Sequence, residues 1–314
     1  GNDRKAATMD QQHSTPFKSQ LVRRLLSGEF ALTAEITPPV SAGPDELIAK
    51  AKPLGSAVDA VNVTDGASAR VHMSSAVSAS ILQANQIEPV AQFTCRDRNR
   101  IALISDLLGV GAQGVHNLLI LTGDDPSAGD QPQAKPVFDL KSYELITIAS
   151  EMTVDGTIPS KSFNRTNGEL TSSIRQIETP PQFFIGAADM PTEKPDEKWL
   201  AGLRKKKDCG TQFIQTQLNY DMKIVRAYAK ILVEEGFAEQ MFFLIGNGPL
   251  PSARSALWMR KNLWGVVVPD EVVRRLETAK DPISEGIRIC SEQLQEMSEI
   301  SGIAGAHLMA PLNV

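Results

Sequence analysis

The chain has 314 residues, 42% of them hydrophobic and 22% charged, with a net charge of −5. This composition excludes the disordered and collagenous classes, and the acidic balance argues against a general nucleic-acid binder. No apolar run approaches the roughly 18 residues of a membrane helix, and the distant Cys95, Cys209 and Cys290 form no C-x-x-C, which speaks for reduced thiols in a cytoplasmic protein.

In chain order, residues 1–16 read as a disordered polar tail without a signal-peptide apolar region, and the octapeptide before Met9 is left out of fold reasoning. Residues 17–314 read as one catalytic domain. An opening helix is predicted at about 17–27. Apolar, β-branched runs then recur at 31–37, 60–65, 88–95, 117–123, 183–189, 213–220, 241–247 and 304–311. They are short and nearly continuous in apolar character, which suits parallel strands covered on both faces. Helical spacing fills the intervals at 98–108, 138–151 and 221–236. In the last of these, Met222, Val225, Ile231 and Leu232 lie along one stripe between Asp221 and Gly236. The segment 270–300 reads as two helices split near "KDPIS". Eight such alternations predict a (β/α)8 TIM barrel. The polar excursion from 153 to 181 reads as a long loop between strands 4 and 5.

Gly109, Gly111 and Gly114 spell G-x-G-x-x-G, but in the order helix, glycines, strand. A dinucleotide fingerprint needs strand, glycines, helix, so these glycines are expected to end a helix and turn the chain. The basic run from Arg204 to Lys207 reads as a solvated helix face with one functional member.

Barrel enzymes carry their chemistry at the C-terminal strand ends. That rule selects Glu35 and Thr37 on strand 1, Thr64, Asp65 and Ala67 on strand 2, and Gln92, Thr94, Cys95 and Arg96 on strand 3. On strand 4 it selects Thr122, Gly123 and Asp124, and on strand 6 Gln215, Gln217 and Asn219. Glu35 stands out as a carboxylate in an apolar strand. Burial raises a carboxyl pKa and would make it a general acid, or it is a structural carboxyl bonded to a loop. Asp124 either faces a ligand beside Gly123 or caps a turn. The four histidines have no metal-ligand spacing, so no metal is expected, and His116 and His307 read as satisfied core residues. Cys95, without an evident base, reads as a buried thiol rather than a nucleophile.

At these strand tops the sequence resembles the methylenetetrahydrofolate reductase family. The segments "AEITPP", "VNVTDGA", "QFTCRDRN", "LLILTGDDP", "LRKKKDCG" and "IQTQLNYD" follow the family's order from about Phe30. The resemblance implies flavin-dependent reduction of 5,10-methylenetetrahydrofolate to 5-methyltetrahydrofolate by NADH or NADPH, a ping-pong cycle, and a place in one-carbon metabolism and methionine biosynthesis. It implies Glu35 as general acid, Asp124 as the charge-stabilising carboxylate and Gln217 as the pterin partner. The cofactor contacts it implies are Thr64, Asp65, Ala67, Gln92, Thr122, Gly123, Asp124, Phe138 and Lys206. Many relatives have His where Gln92 stands and Tyr-Pro-Glu-x-His-Pro-Glu where "AADMPTEKPDE" stands. FAD, FMN and flavin-free transfer from nicotinamide therefore all stay open, as does a pterin-binding methyltransferase working with a corrinoid protein. The expected partners are folate, a nicotinamide nucleotide and further copies of the chain, without nucleic acid or membrane.

Overall fold

The computed structural model describes residues 18–310; the tail assigned to residues 1–16 lies outside them. The first half of the barrel runs α1 (Gln20–Ser27), β1 (Ala31–Ile36), α2 (Pro44–Gly55), β2 (Ala60–Val63), α3 (Ser75–Ala84), β3 (Pro89–Thr94), α4 (Arg100–Ala112), β4 (Asn117–Leu121) and α5 (Ser142–Val154). A pair of strands, β5 (Thr157–Phe163) and β6 (Leu170–Gln176), follows. The second half runs β7 (Phe184–Asp189), α6 (Glu197–Cys209), β8 (Phe213–Leu218), α7 (Met222–Glu234), β9 (Phe242–Asn247), α8 (Ala253–Asn262), α9 (Asp270–Thr278), α10 (Pro282–Ser298) and β10 (Gly305–Leu308).

Eight parallel strands close in the order β1-β2-β3-β4-β7-β8-β9-β10, and β10 returns to β1 with Ala31 opposite Gly305. This is the (β/α)8 barrel that the alternating pattern predicts. All eight predicted strands are present, and α9 and α10 divide at Asp281, whose carboxylate caps α10 through the Ser284 N–H. Buried Val225, Tyr228, Ala229 and Leu232 form the inward stripe of α7.

Two expectations need correction. The excursion after α5 is an antiparallel hairpin with Thr157 opposite Gln176 and Phe163 opposite Leu170, not a loop. Its Ser, Thr and Lys positions carry no apolar alternation because both of its faces are largely exposed, so the usual strand signal is missing. Gly109 and Gly111 lie inside α4, and Gly114, at φ 80°, makes the turn toward β4. Gly111 is small for a packing reason: a Cβ there would stand 2.8 Å from the Pro181 ring.

Strand alternation sends every second side chain into the barrel, where they stack in layers. The lowest layer is apolar. Ala31, Ala60, Val90, Leu119, Phe184, Phe213 and Phe242 join Leu21, Val22 and Leu25 of α1, which closes the barrel floor. Phe184 and Phe213 stack at 4.7 Å between centroids, and a Cβ on Gly186 would overlap the Phe213 ring. One carboxylate fastens the floor helix. Glu88 accepts from the Gln20 N–H at 2.6 Å, the Leu21 N–H at 3.1 Å, the Ser19 hydroxyl at 2.9 Å and the Asn117 amide at 2.9 Å. It thus satisfies the free N–H groups of a helix N-terminus where negative charge is favoured. Glu88→Ala is expected to lower unfolding stability by about 2–3 kcal/mol in urea titration. An unchanged midpoint would mean that the apolar face of α1 holds the floor by itself.

Candidate active site

The layer above the floor is polar. Thr33, Asn62, Gln92, Gln215 and His307 all point inward and are buried. Such groups are costly inside a barrel unless they bond to one another. Gln215 is their hub: its carbonyl accepts from the Asn62 amide at 2.6 Å, and its own amide donates to Asn62 Oδ1 at 3.1 Å and Thr33 Oγ1 at 3.0 Å. Thr33 Oγ1 lies 2.8 Å from His307 Nδ1. The other ring nitrogen faces Glu35 Oε1 at 3.5 Å. The Gln92 amide donates to the same oxygen at 2.8 Å.

Glu35 therefore tops a continuous chain of polar contacts. Burial pushes its carboxyl pKa up, but hydrogen bonding and attraction to His307, with the Gln92 amide, outweigh that and hold it below the ordinary value. Burial by itself would favour the acid form; the His307 and Gln92 contacts shift the balance toward the carboxylate. His307 is correspondingly more than a core histidine, because it is buried and also forms part of the cavity wall.

A cavity of about 430 Å³ opens above this layer, lined among others by Glu35, Gln92, Asp189, Lys206, Gln217 and Trp264. Asp189 ends β7 and was missed from sequence, although the strand-end rule that selected Glu35 also selects it. Its carboxylate accepts from the Tyr228 hydroxyl at 2.6 Å and the Trp199 indole at 3.2 Å. Burial raises its pKa against the opposing pull of Lys206 and these donors. The cavity thus holds two carboxyls displaced in opposite directions, the arrangement from which acid and base roles are drawn. Lys206, two turns from the start of α6, donates to the Ala188 carbonyl at 2.5 Å. The Gln217 amide donates to the Trp264 carbonyl at 2.9 Å, and its oxygen accepts from the Leu218 N–H at 2.9 Å. One N–H and one lone pair of that amide remain for a ligand.

The other residues selected from sequence do not line this cavity: Thr37 follows β1, Thr94 ends β3, Asn219 follows β8, and the rest stand on the loops after β2, β3 and β4. Asp65 accepts from the Thr94 N–H at 2.8 Å and pairs with Arg98, anchoring the end of β3. Asp124 and Thr122 are exposed. Arg96, the last of the residues selected at the end of strand 3 and 4% exposed, joins these loops. Its guanidinium pairs with both oxygens of Asp97 and reaches the carbonyls of Gly66 and Asp124 at 3.4 Å. A Cβ on Gly66 would overlap that guanidinium, and one on Gly123 would stand 3.1 Å from Arg96 Cβ. These two glycines therefore make room for Arg96. Ala67 lies in a short turn whose Ser68 and Ala69 both have φ 56°, and Phe138 is half exposed at φ 41°. The Thr64 hydroxyl is buried with no partner. Cys95 is fully buried, and burial pushes its thiol up to about 11, in keeping with an inert core residue. Among the described residues no group of three or more His, Cys, Asp or Glu is placed to hold a metal ion, and no helix is long and apolar enough to cross a membrane.

Residues 20–313 match the family model described as methylenetetrahydrofolate reductase. No curated protein matches the chain by sequence. Among solved structures, an uncharacterized protein from Clostridium thermocellum that binds two copies of 5-methyl-5,6,7,8-tetrahydrofolic acid superposes with a TM-score of 0.57. It is 12% identical, over 92% of this chain and 91% of that one. A 2,3-dimethylmalate lyase reaches a TM-score of 0.48 at 11% identity, over 95% of this chain and 82% of that one. At 12% identity the Clostridium thermocellum structure shows a shared fold.

The two carboxyls give opposite pH signatures. The stabilisation from Glu35 is present above its ordinary pKa of 4.5 and is lost as pH falls through the lower folded value. The Asp189 penalty grows as pH rises from 3.8 through its raised folded value. In urea unfolding across acid to neutral pH, the destabilisation caused by Glu35→Gln should shrink toward acid. The relief from Asp189→Asn should grow toward neutrality. Parallel pH trends in the two variants would refute the assignment.

Proposed function

The chain belongs to the methylenetetrahydrofolate reductase family, and from that premise we propose that it reduces 5,10-methylenetetrahydrofolate to 5-methyltetrahydrofolate, with NADH or NADPH as the electron donor. The observation that carries this reading is the juxtaposition of Glu35 and Gln217 on the wall of one cavity above the polar barrel layer. The folate bound by the Clostridium thermocellum neighbour is in keeping with it.

The reaction breaks the bond between the bridging carbon and N10, leaves an iminium at N5, and adds a hydride to that carbon while N10 takes a proton. Glu35 is the residue to deliver that proton. Contacts from Gln92 and His307 favour its ionised form. A folate that fills the cavity and takes over the Gln92 amide leaves burial less opposed, so the carboxyl pKa rises and a proton is bound for transfer. His307, oriented through Thr33 and Gln215, keeps the carboxylate aimed. Gln217 offers its remaining N–H and lone pair to the amide edge of the pterin. Asp124, exposed on the loop after β4, is the carboxylate that would stabilise positive charge on the iminium.

The residues present fit a flavin. The unpartnered Thr64 hydroxyl is a polar atom in want of a partner, and Lys206 is a cation in the cavity wall with N–H groups left for a phosphate oxygen. Thr64, Ala67 and Lys206 would hold the group, while Gly66 and Gly123 serve Arg96. A bound flavin would supply the relay of hydride equivalents between nicotinamide and folate.

The test is anaerobic incubation of the purified protein with NADH or NADPH and 5,10-methylenetetrahydrofolate, with and without added FAD or FMN. Product is followed by mass spectrometry and flavin by absorbance. Formation of 5-methyltetrahydrofolate that needs flavin supports the full reading, and formation without it assigns direct transfer from nicotinamide. Absence of reduction under every condition, with 5-methyltetrahydrofolate giving up its methyl group to a corrinoid acceptor, would replace the reductase by a methyltransferase. Glu35→Gln is expected to slow reduction by roughly 100-fold or more with folate affinity nearly kept. Equal turnover in the variant would remove Glu35 from the proton path.

A further inference from the structure

Trp264 lies between α8 and α9 and is 81% exposed, the most uncovered large apolar side chain among the described residues. A flexible loop would make that exposure unremarkable, but this segment is fixed. The Val267 N–H donates to the Leu218 carbonyl at 3.2 Å, and the Tyr220 N–H donates to the Val267 carbonyl at 2.9 Å, so the segment runs as a parallel bridge beside the end of β8. The Trp264 carbonyl is held by the Gln217 amide at 2.9 Å. The next residue, Gly265, has φ 79°, and a Cβ there would overlap the Met190 side chain. The backbone is thus locked against β8 and Met190 while the indole is left bare.

Trp264 is one of the residues that border the cavity. The other two tryptophans are placed differently. Trp199 spends its N–H on Asp189 and packs edge-on to Tyr228 with 5.9 Å between centroids. Trp258 lies on α8 and does not line the cavity. A preorganised backbone carrying an uncovered aromatic face costs little entropy on binding and offers a platform to a planar ring. The hydrogen bond that fixes the loop also fixes the Gln217 amide, leaving one donor and one acceptor beside the platform.

We propose that Trp264 is the stacking wall for the pterin ring of the folate, with the ring lying on the indole and its amide edge against Gln217. This rests on the folate reading above and adds to it the residue that supplies ring affinity. The choice of pterin over nicotinamide follows from size: a fused two-ring system covers more of the indole than a single pyridine ring while its amide edge reaches Gln217.

The experiment is calorimetric titration of 5-methyltetrahydrofolate, and separately of NADH, into the wild-type protein, Trp264→Ala, Trp264→Phe and the control Trp258→Phe, with tryptophan emission followed in parallel. Trp264→Ala is expected to weaken folate binding roughly 10-fold, and Trp264→Phe to retain most of it because a ring remains. Folate should quench wild-type and Trp258→Phe emission and largely fail to quench Trp264→Phe. Folate binding of equal strength in wild type and Trp264→Ala overturns the proposal while leaving the folate reading intact. Loss of NADH affinity without loss of folate affinity assigns the indole to nicotinamide and overturns the pterin placement. A wild-type protein that binds no folate defeats the folate reading itself, and the proposal with it.

Discussion

Everything above the floor of this barrel depends on the satisfaction of one buried polar layer. Five side chains with hydrogen-bonding heads point into a space that solvent does not fill, and each unpaired one would cost on the order of 1–3 kcal/mol. Gln215 removes most of that cost by holding Asn62 in a reciprocal amide pair and Thr33 through its second hydrogen. Because Thr33 is thereby oriented, His307 is too, and Glu35 inherits its environment from both His307 and Gln92. Five different strands contribute these groups, so the closed barrel is itself what brings the carboxylate under control. A site built on strands in this way is held more tightly than one built on loops.

The mouth divides into two halves with different physics. Over β2, β3 and β4 the loops are stapled by the buried Arg96 guanidinium, with glycines at 66 and 123 leaving room for it. That half is rigid and packed, and it fixes the backbone around Asp124. Over β7 and β8 the wall is a cavity with Asp189, Lys206, Gln217 and Trp264 around it. The cavity lining named here comes from the second half, and the first half packs beside it.

The strand-end rule reads much of the site directly from sequence because alternation is a property of the chain. Glu35, Gln92, Gln215 and Gln217 were selected that way, and all four line the cavity. The same alternation, followed two residues back from Glu35 and Thr64, leads to Thr33 and Asn62. His307 lies inside the last strand and reads equally well as a core histidine, because what distinguishes the two is the residue across the barrel. Trp264 carries no strand or helix signal. Its loop joins β8 through backbone hydrogen bonds, and backbone hydrogen bonding between distant segments leaves no mark on side-chain pattern. The hairpin after α5 went unread for a related reason: a ribbon exposed on both faces has no need of apolar alternation.

The sequence by itself determined the barrel, since eight short apolar runs separated by helical stripes have few ways to bury both kinds of face. It also determined which residues stand at the strand ends, and the order of motifs that identifies the family. Only the tertiary structure decided the opposite displacements of the Glu35 and Asp189 carboxyls and the packing of Gly66 and Gly123 against Arg96. Local pattern specifies which face a side chain takes. A carboxyl's ionisation depends on the groups within a few ångströms of it, and here those groups come from strands up to 274 residues apart.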